Sequence, residues 1–206
     1  MAAAAPRQKR VGIHPPTQGT PPVKAGGNGD SGPREARSKW NPTRQGGGMI
    51  HRVAIGADHG GFELKAKLVV LLQAKGLEVA DLGTHSLEPC DYPTIGYKVA
   101  SAVAQGQFDR GVLLCKSGIG IAIAANKVPG IRAGICSDIF DAQRSRAHND
   151  ANVLVLAAEK LSDARAKRIL DTWLATPFES GGRHERRVKQ IAAIERQLTR
   201  QVRSRK

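Results

Sequence analysis

Short apolar segments alternate with segments of helical spacing between positions 51 and 175, and this alternation limits the fold more than any other feature. The apolar segments are predicted to form strands over 51–56, 77–82, 110–115, 131–136 and 153–157. The helical segments cover 62–75, 95–105, 119–127, 139–148 and 164–175, and a basic amphipathic helix follows residue 182. Continuous apolar strands joined by helices indicate a parallel sheet covered on both faces. The sequence therefore predicts an α/β protein with a five-stranded parallel sheet.

The formal net charge of +14 is concentrated at the two ends of the chain. Residues 1–48 carry eight Lys or Arg against two acids, and residues 183–206 carry nine against two, so the middle is nearly neutral. Four Phe, two Tyr and two Trp offer little surface for stacking bases, which argues against nucleic-acid binding. Three cysteines without CxxC spacing predict neither a disulfide framework nor a zinc site. Without an apolar run of about 18 residues or a signal peptide, we expect a soluble cytoplasmic protein with no membrane partner.

Residues 1–48 form a segment of different composition, rich in Pro, Gly, Arg and Ala and without hydrophobic periodicity. Such a segment cannot bury enough apolar surface to offset its ordering entropy, so we expect a disordered basic extension. Three interpretations stay open: an upstream start with Met49 as the true initiator, which we favour, an organellar address, or a nucleic-acid-binding arm. The folded domain is expected over 49–182, with the helix in 183–206 belonging to it up to about residue 195.

The third predicted strand ends at Cys115, and a turn of small residues then opens into a helix. Backbone N–H groups at a helix start favour bound anions and the thiolate form of a neighbouring cysteine. Because a cysteine in this setting is more often an inert buried residue, other groups must decide its role. Asp58 and His59 follow the first strand, and His148 ends the helix after the fourth. Ligands of parallel sheets bind beyond the carboxyl ends of the strands, so these groups are candidates for one site.

Six segments, taken in order, resemble ribose-5-phosphate isomerase type B, whose wider family includes the galactose-6-phosphate isomerase subunits. They are ADHGGFELK from position 57, DYP from 91, SGIGIAIAANK from 117, GIRA from 130, RAHNDANVL from 146 and GGRHERRV from 181. The resemblance implies a Rossmann-like three-layer α/β/α sandwich and an aldose–ketose isomerase that interconverts ribose 5-phosphate and ribulose 5-phosphate. It implies no cofactor and no metal, and a homodimer or homotetramer whose sites are completed by the partner subunit.

The resemblance also assigns the catalytic roles. Cys115 would be the base that moves a proton between the first two sugar carbons. Ser117 and the amides of Gly118 to Gly120 would hold the enediolate oxygen, as an oxyanion hole does. His148, with Asp58 nearby, would open the sugar ring by proton transfer.

The same resemblance assigns the groups that bind the substrate. Arg183 and Arg187, with His59, would hold the phosphate, because the planar fork of arginine matches phosphate oxygens. Asn149 would contact the sugar hydroxyls, and the glycine amides at Gly118 and Gly120 would lie against the substrate.

Two positions depart from the family pattern. Lys116 stands where the family has Gly after the catalytic cysteine, and Ala158-Glu159-Lys160 stands where it has G-x-R. The second change brings a carboxylate to a place that binds phosphate, so we hypothesise that Lys116 either replaces the lost phosphate ligand or pairs with Glu159. An ammonium beside Cys115 would further favour the thiolate, which predicts an alkylation-sensitive thiol that substrate protects. The departures leave open another sugar phosphate of the tetrose, allose or galactose type, or a non-catalytic relative that binds sugar phosphate or nucleic acid.

Overall fold

The computed structural model describes residues 50–204, and the predictions made for residues 1–48 lie outside them. Its five strands are β1 (Arg52–Ala57), β2 (Glu78–Asp81), β3 (Arg110–Cys115), β4 (Ala133–Ile135) and β5 (Val153–Ala157). All strand pairs are parallel, in the order β2-β1-β3-β5-β4. This confirms the predicted five-stranded parallel sheet. Strands β3 and β5 are buried along their whole length, as their uninterrupted apolar sequences predicted.

Six α-helices connect and cover the strands: α1 (Phe62–Ala74), α2 (Tyr92–Ala104), α3 (Ile119–Ala125), α4 (Ile139–Ala147), α5 (Asp163–Ala175) and α6 (Arg183–Arg203). Helix α2 begins three residues before the predicted start, because a proline in the first turn fits a helix start. Strand β4 is half the predicted length, since it lies at the sheet margin and pairs on one side only. None of the helices in the described part of the chain is long and apolar enough to cross a membrane.

The core consists of two apolar layers, one on each face of the sheet. On one face the sheet packs against α1, α4 and α5, with Leu72, Ile169 and Trp173 fully buried. On the other face it packs against α2 and α3, with Val99 and Ile121 fully buried. Helices on both faces of a parallel sheet make the predicted three-layer α/β/α sandwich.

Helix α6 extends along the domain from its amino end. His184 and Val188 are buried, whereas Ile194 and Leu198 further along the same helix are exposed. The carboxylate of Glu195 accepts the backbone N–H of Gly130 at 2.9 Å. This bond joins the middle of α6 to the segment that enters β4.

Candidate functional site

The turn after β1 carries the first two candidate residues, Asp58 and His59. Asp58 is 5% exposed, and its Oδ1 accepts the N–H of Gly61 at 3.1 Å, so it caps a single 3-10 turn over His59–Gly61. The backbone N–H of Cys90 donates to Nδ1 of His59 at 3.2 Å. Because Nδ1 accepts this bond, the proton of the neutral ring is on Nε2, and His59 can donate from that atom.

Cys115 ends β3 at the same edge of the sheet. The residue is 4% exposed, and its Sγ accepts the backbone N–H of Gly118 at 3.1 Å. Gly118 has a φ of +77°, a left-handed conformation that favours glycine. A donor directed at the sulfur favours negative charge on it. The turn therefore directs one backbone donor at the Cys115 sulfur, at the mouth of the sheet.

Ser117 and Gly120 complete this turn. Ser117 is exposed, and its Oγ accepts the N–H of Ile119 at 3.3 Å, which leaves the hydroxyl hydrogen free to donate. A Cβ on Gly120 would lie 2.5–2.7 Å from the ring atoms and hydroxyl of Tyr92, so a larger residue there would displace the Tyr92 side chain. Tyr92 thus lies against the candidate oxyanion turn. Tyr92 belongs to the D-Y-P segment, and the sequence alone predicted no role for it.

Lys116 and Glu159 form an ion pair at this edge. Lys116 Nζ lies 3.8 Å from Glu159 Oε1, and the side chains are 58% and 62% exposed. The carbon stem of Lys116 lies over Gly60, where a Cβ would collide with it. The pairing alternative of the sequence hypothesis is therefore present, and it offsets the charge of Glu159. The group that contacts the Cys115 sulfur is the Gly118 amide, whereas the Lys116 ammonium is directed to the carboxylate.

The remaining candidate residues lie at the opposite edge of the sheet. In a parallel sheet each connecting helix returns the chain to the amino ends of the strands, so His148 and Asn149, which follow α4, lie where β5 begins. The N–H of Asn152, the residue before β5, donates to the carbonyl of Arg132, the residue before β4, and this bond joins the two strands at their amino ends. Strands of five or six residues rise about 3.3 Å per residue, which separates the two edges by about 15 Å. Asp58 and His148 therefore lie at opposite edges of their own sheet, and the expectation that they lie near each other requires a second copy of the chain.

A buried ion-pair cluster supports the turn that bears His148 and Asn149. Asp150 is 4% exposed and accepts from Arg146 Nη1 and Arg132 Nη2, both at 2.8 Å. Its φ of +46° lies in the left-handed region, which Asp tolerates better than most residues. The RAHNDANVL and GIRA segments of the sequence thus meet to hold this turn.

His148 is part of a compact group of ionisable side chains. Its ring stacks on that of His184 with centroids 3.8 Å apart and planes 7° apart. Arg144 Nη1 lies 2.7 Å from His148 Nε2, and Arg183 Nε donates to His184 Nε2 at 3.3 Å. Glu179 Oε2 lies 3.8 Å from His148 Nε2 and 3.7 Å from His184 Nε2. We call these five residues the histidine cluster.

The histidine cluster also carries the candidate phosphate ligands. Arg183 is the first residue of α6. Arg187 follows one turn later, near enough for its charge to lower the pKa of His184. Burial, and then the charges of His148 and Arg183, hold the pKa of His184 below its ordinary value. The cluster therefore presents two stacked imidazoles beside guanidinium groups, which suits an anionic ligand.

Sequence reasoning missed three members of the cluster: Arg144, Glu179 and His184. His184 stands inside the GGRHERRV segment, and Arg144 precedes His148 by four residues, which is one helical turn. These two positions could have been found. Glu179 lies in the irregular segment between α5 and α6, where the sequence gives no periodicity to place a side chain.

Within residues 50–204, one group of three side chains could hold a metal ion: His148, Glu179 and His184, whose ligand atoms lie within 4.8 Å of one another. Both Nε2 atoms already accept an arginine N–H. The adjacent guanidinium charges also oppose a bound cation. The group therefore fits an anion or a proton better than a metal.

Comparison with known proteins agrees with these features. A family model described as Ribose/Galactose Isomerase matches residues 53–191. The chain is 49% identical over 146 residues to ribose-5-phosphate isomerase B of Escherichia coli K12, covering 71% of this chain and 97% of that protein. It is 44% identical over 134 residues to D-erythrulose-4-phosphate isomerase of Pectobacterium atrosepticum, covering 63% of this chain and 86% of that protein. The solved structure of Clostridium thermocellum ribose-5-phosphate isomerase B superposes with a TM-score of 0.70 at 49% identity, covering 71% of this chain and 99% of that one.

The parallel α/β sandwich with a cysteine and a glycine turn at its carboxyl edge, together with these similarities, places the protein in the class of isomerases. The chain belongs to the ribose/galactose isomerase family, as residues 53–191 show. This confirms the resemblance drawn from the six sequence segments, and the Rossmann-like fold that it implied.

Proposed function

We propose that this chain interconverts ribose 5-phosphate and ribulose 5-phosphate in an active site formed by two copies of the chain. The main support is the bond from the Gly118 amide to the Cys115 sulfur at the carboxyl edge of β3, 3.1 Å long. A relative named ribose-5-phosphate isomerase B aligns over 97% of its own length, which includes this turn. The support therefore comes both from the similarity of the whole domain and from the cysteine turn within it.

In the proposed reaction, Cys115 acts as a thiolate on the open-chain sugar. The sulfur takes the proton from C2 of the aldose, the C–H electron pair forms a C1–C2 double bond, and the carbonyl electron pair moves to the C1 oxygen. The C2 hydroxyl then passes its proton to the C1 oxygen, its O–H electron pair becomes the second C2–O bond, and the double-bond pair takes the carbon proton back from the Cys115 thiol at C1, which gives the ketose and restores the thiolate. Proton transfer from carbon needs a base that is charged near neutral pH, and a thiolate that accepts an amide N–H meets this need.

The developing charge on the C1 oxygen needs donors beside the sulfur. The hydroxyl of Ser117 and the N–H of Gly120 are available for this role, because the N–H of Gly118 is bonded to the sulfur. Donors fixed before the reaction stabilise an enediolate without reorganising during the step. In this proposal the Gly118 N–H stabilises the Cys115 sulfur, whereas Ser117 and Gly120 donate to the C1 oxygen.

The ring-opening and phosphate-binding groups would come from the second copy. His148 and Asn149 lie at the amino edge of their own sheet, about 15 Å from their own Cys115. Two copies packed so that the amino edge of one faces the carboxyl edge of the other would complete both sites. Arg183 and Arg187 would then hold the phosphate of a sugar bound at the partner's Cys115, and the Nε2–H of His59 would contribute a further donor.

The direct test is conversion of ribose 5-phosphate to ketose with a metal chelator present. Cys115→Ala should lower kcat at least about 100-fold, since it removes the base. Cys136→Ala is the matched control: this thiol is buried, and burial raises its pKa to about 11, so its removal should leave kcat within about twofold of the wild type. Turnover unaffected by Cys115→Ala would overturn the mechanism, and binding of the sugar without turnover would identify a non-catalytic relative.

A different sugar phosphate is the second candidate, favoured by the Lys116–Glu159 pair and by the relative named for D-erythrulose 4-phosphate. This pair changes the charge and shape of the carboxyl edge while leaving the cysteine turn intact. The reaction type would then be unchanged and the sugar different. The same assay, run with a panel of aldose phosphates of four to six carbons, distinguishes the two by the ratio of their kcat/KM values.

A further inference from the structure

Glu179 is a carboxylate in the histidine cluster to which neither the sequence nor the family match assigns a task. Its backbone N–H donates to the carbonyl of Ala147 at 3.0 Å, which ties the segment before α6 to the end of α4. Its Oε2 is nearly equidistant from the Nε2 atoms of His148 and His184, at 3.8 and 3.7 Å. The backbone bond thus places this carboxylate, whose side chain is 59% exposed, within 4 Å of both imidazoles.

The contacts of His148 define its resting state. A guanidinium has only donors, so Nε2 of His148 must accept from Arg144 Nη1 at 2.7 Å. The ring is then neutral, with its proton on Nδ1. Nε2 is the atom that can receive another proton.

Ring opening changes that state. The anomeric hydroxyl gives its proton to the imidazole, its O–H electron pair becomes the second C1–O bond, and the C1–ring-oxygen pair goes to the ring oxygen, which then takes a proton from the imidazolium. While the imidazole holds the extra proton it is a cation that no longer accepts from Arg144, and two positive charges face each other. A carboxylate within 4 Å of Nε2 stabilises this state.

We propose that Glu179 is a positioning residue for ring opening: it receives the Nε2–H of protonated His148 when Arg144 can no longer donate to that atom. This proposal rests on the proposed function, because it assumes that His148 opens the sugar ring.

His184 keeps the carboxylate available for His148. The two stacked rings, 3.8 Å apart, disfavour simultaneous protonation, because like charges at that distance repel. His184 is 9% exposed and accepts from Arg183, so it is the ring that stays neutral. Glu179 therefore serves one imidazolium at a time.

The test separates ring opening from proton transfer at carbon. Ribulose 5-phosphate has no free hydroxyl that closes a five-membered ring. Deuterium uptake at its C1 from D₂O, followed by NMR, therefore needs the cysteine chemistry but no ring opening.

Glu179→Gln should lower kcat for ribose 5-phosphate about tenfold, keep KM equal or lower, and leave the deuterium uptake within about twofold of the wild type. Glu179→Asp should recover part of the lost kcat. Glu78→Gln, an exposed glutamate at the start of β2, is the matched control and should change neither rate.

The outcomes are distinct. An equal loss of isomerisation and deuterium uptake would assign Glu179 a merely structural role, and no loss of either would leave it without a role; both overturn the inference. D-erythrose 4-phosphate, an aldose that cannot close a five-membered ring, gives a second readout, on which Glu179→Gln should have little effect. A wild-type protein that neither isomerises ribose 5-phosphate nor exchanges ribulose 5-phosphate would instead refute the proposed function.

Discussion

At the scale of single residues, burial and one hydrogen bond distinguish the two thiols that end strands of this sheet. Cys115 and Cys136 are both buried, but the Cys115 sulfur accepts an amide N–H at 3.1 Å, whereas the Cys136 thiol lies beside Ser145 Oγ at 3.5 Å. Desolvation raises the pKa of Cys136 to about 11. The same residue type therefore has different surroundings at the end of β3 and directly after β4, two strands that are separated by β5.

This contrast predicts different rates of alkylation. At pH 8, iodoacetamide should label Cys115 at least about tenfold faster than Cys136, because only a thiolate reacts and burial keeps Cys136 protonated. Ribose 5-phosphate should slow the labelling of Cys115 and leave that of Cys136 unchanged, as measured by peptide mass spectrometry. Equal Cys115 labelling with and without the sugar phosphate would count against a substrate site at this sulfur.

At the scale of elements, the α4–β5 turn shows how a buried charge positions a candidate site. Asp150 joins Arg146, at the end of α4, to Arg132, at the entrance of β4. Burial, and then the charge of Arg146, lower the pKa of the nearby Arg110 to about 10, so a third guanidinium depends on the same carboxylate. The turn is thus held in part by buried charge pairing.

Loss of this carboxylate should be costly. Asp150→Ala leaves buried guanidinium groups without their central counter-charge, so the free energy of unfolding should fall by about 3–5 kcal/mol in urea titrations. Asp163→Ala is the control, because its ion pair with Lys67 has side chains 62% and 58% exposed and is screened by solvent, so its loss should change the free energy of unfolding far less. A loss of less than about 1 kcal/mol for Asp150→Ala would show that the turn does not depend on this cluster.

At the scale of the whole molecule, the topology divides the candidate residues into two groups. Cys115, Ser117 and His59 lie at the carboxyl edge, and His148 and Arg183 belong to the histidine cluster at the amino edge. Neither group holds a complete set for the proposed reaction. This division is the physical reason to expect that two copies share each site.

Shared sites predict complementation between two inactive variants. Cys115→Ala and His148→Ala, mixed in equal amounts and allowed to exchange subunits, should recover about a quarter of the wild-type activity, because half the dimers are mixed and each mixed dimer has one intact site. Each variant alone, treated in the same way, is the control and should stay inactive. A mixture as inactive as its components, with exchange verified by mass, would mean that each chain carries its own site.

The sequence by itself determined the sheet, the helices and most of the candidate residues, because apolar periodicity and glycine turns are local properties of the chain. It placed Cys115 at a strand end and Gly118 in a turn of small residues, and both hold in the structure, which adds that Gly118 is left-handed there. Only the tertiary structure decided that His148 and Asp58 lie at opposite edges, that Lys116 pairs with Glu159, and that Glu179 meets two imidazoles. Those contacts join residues far apart along the chain, and their distances depend on the direction in which each helix returns and on the packing of irregular segments.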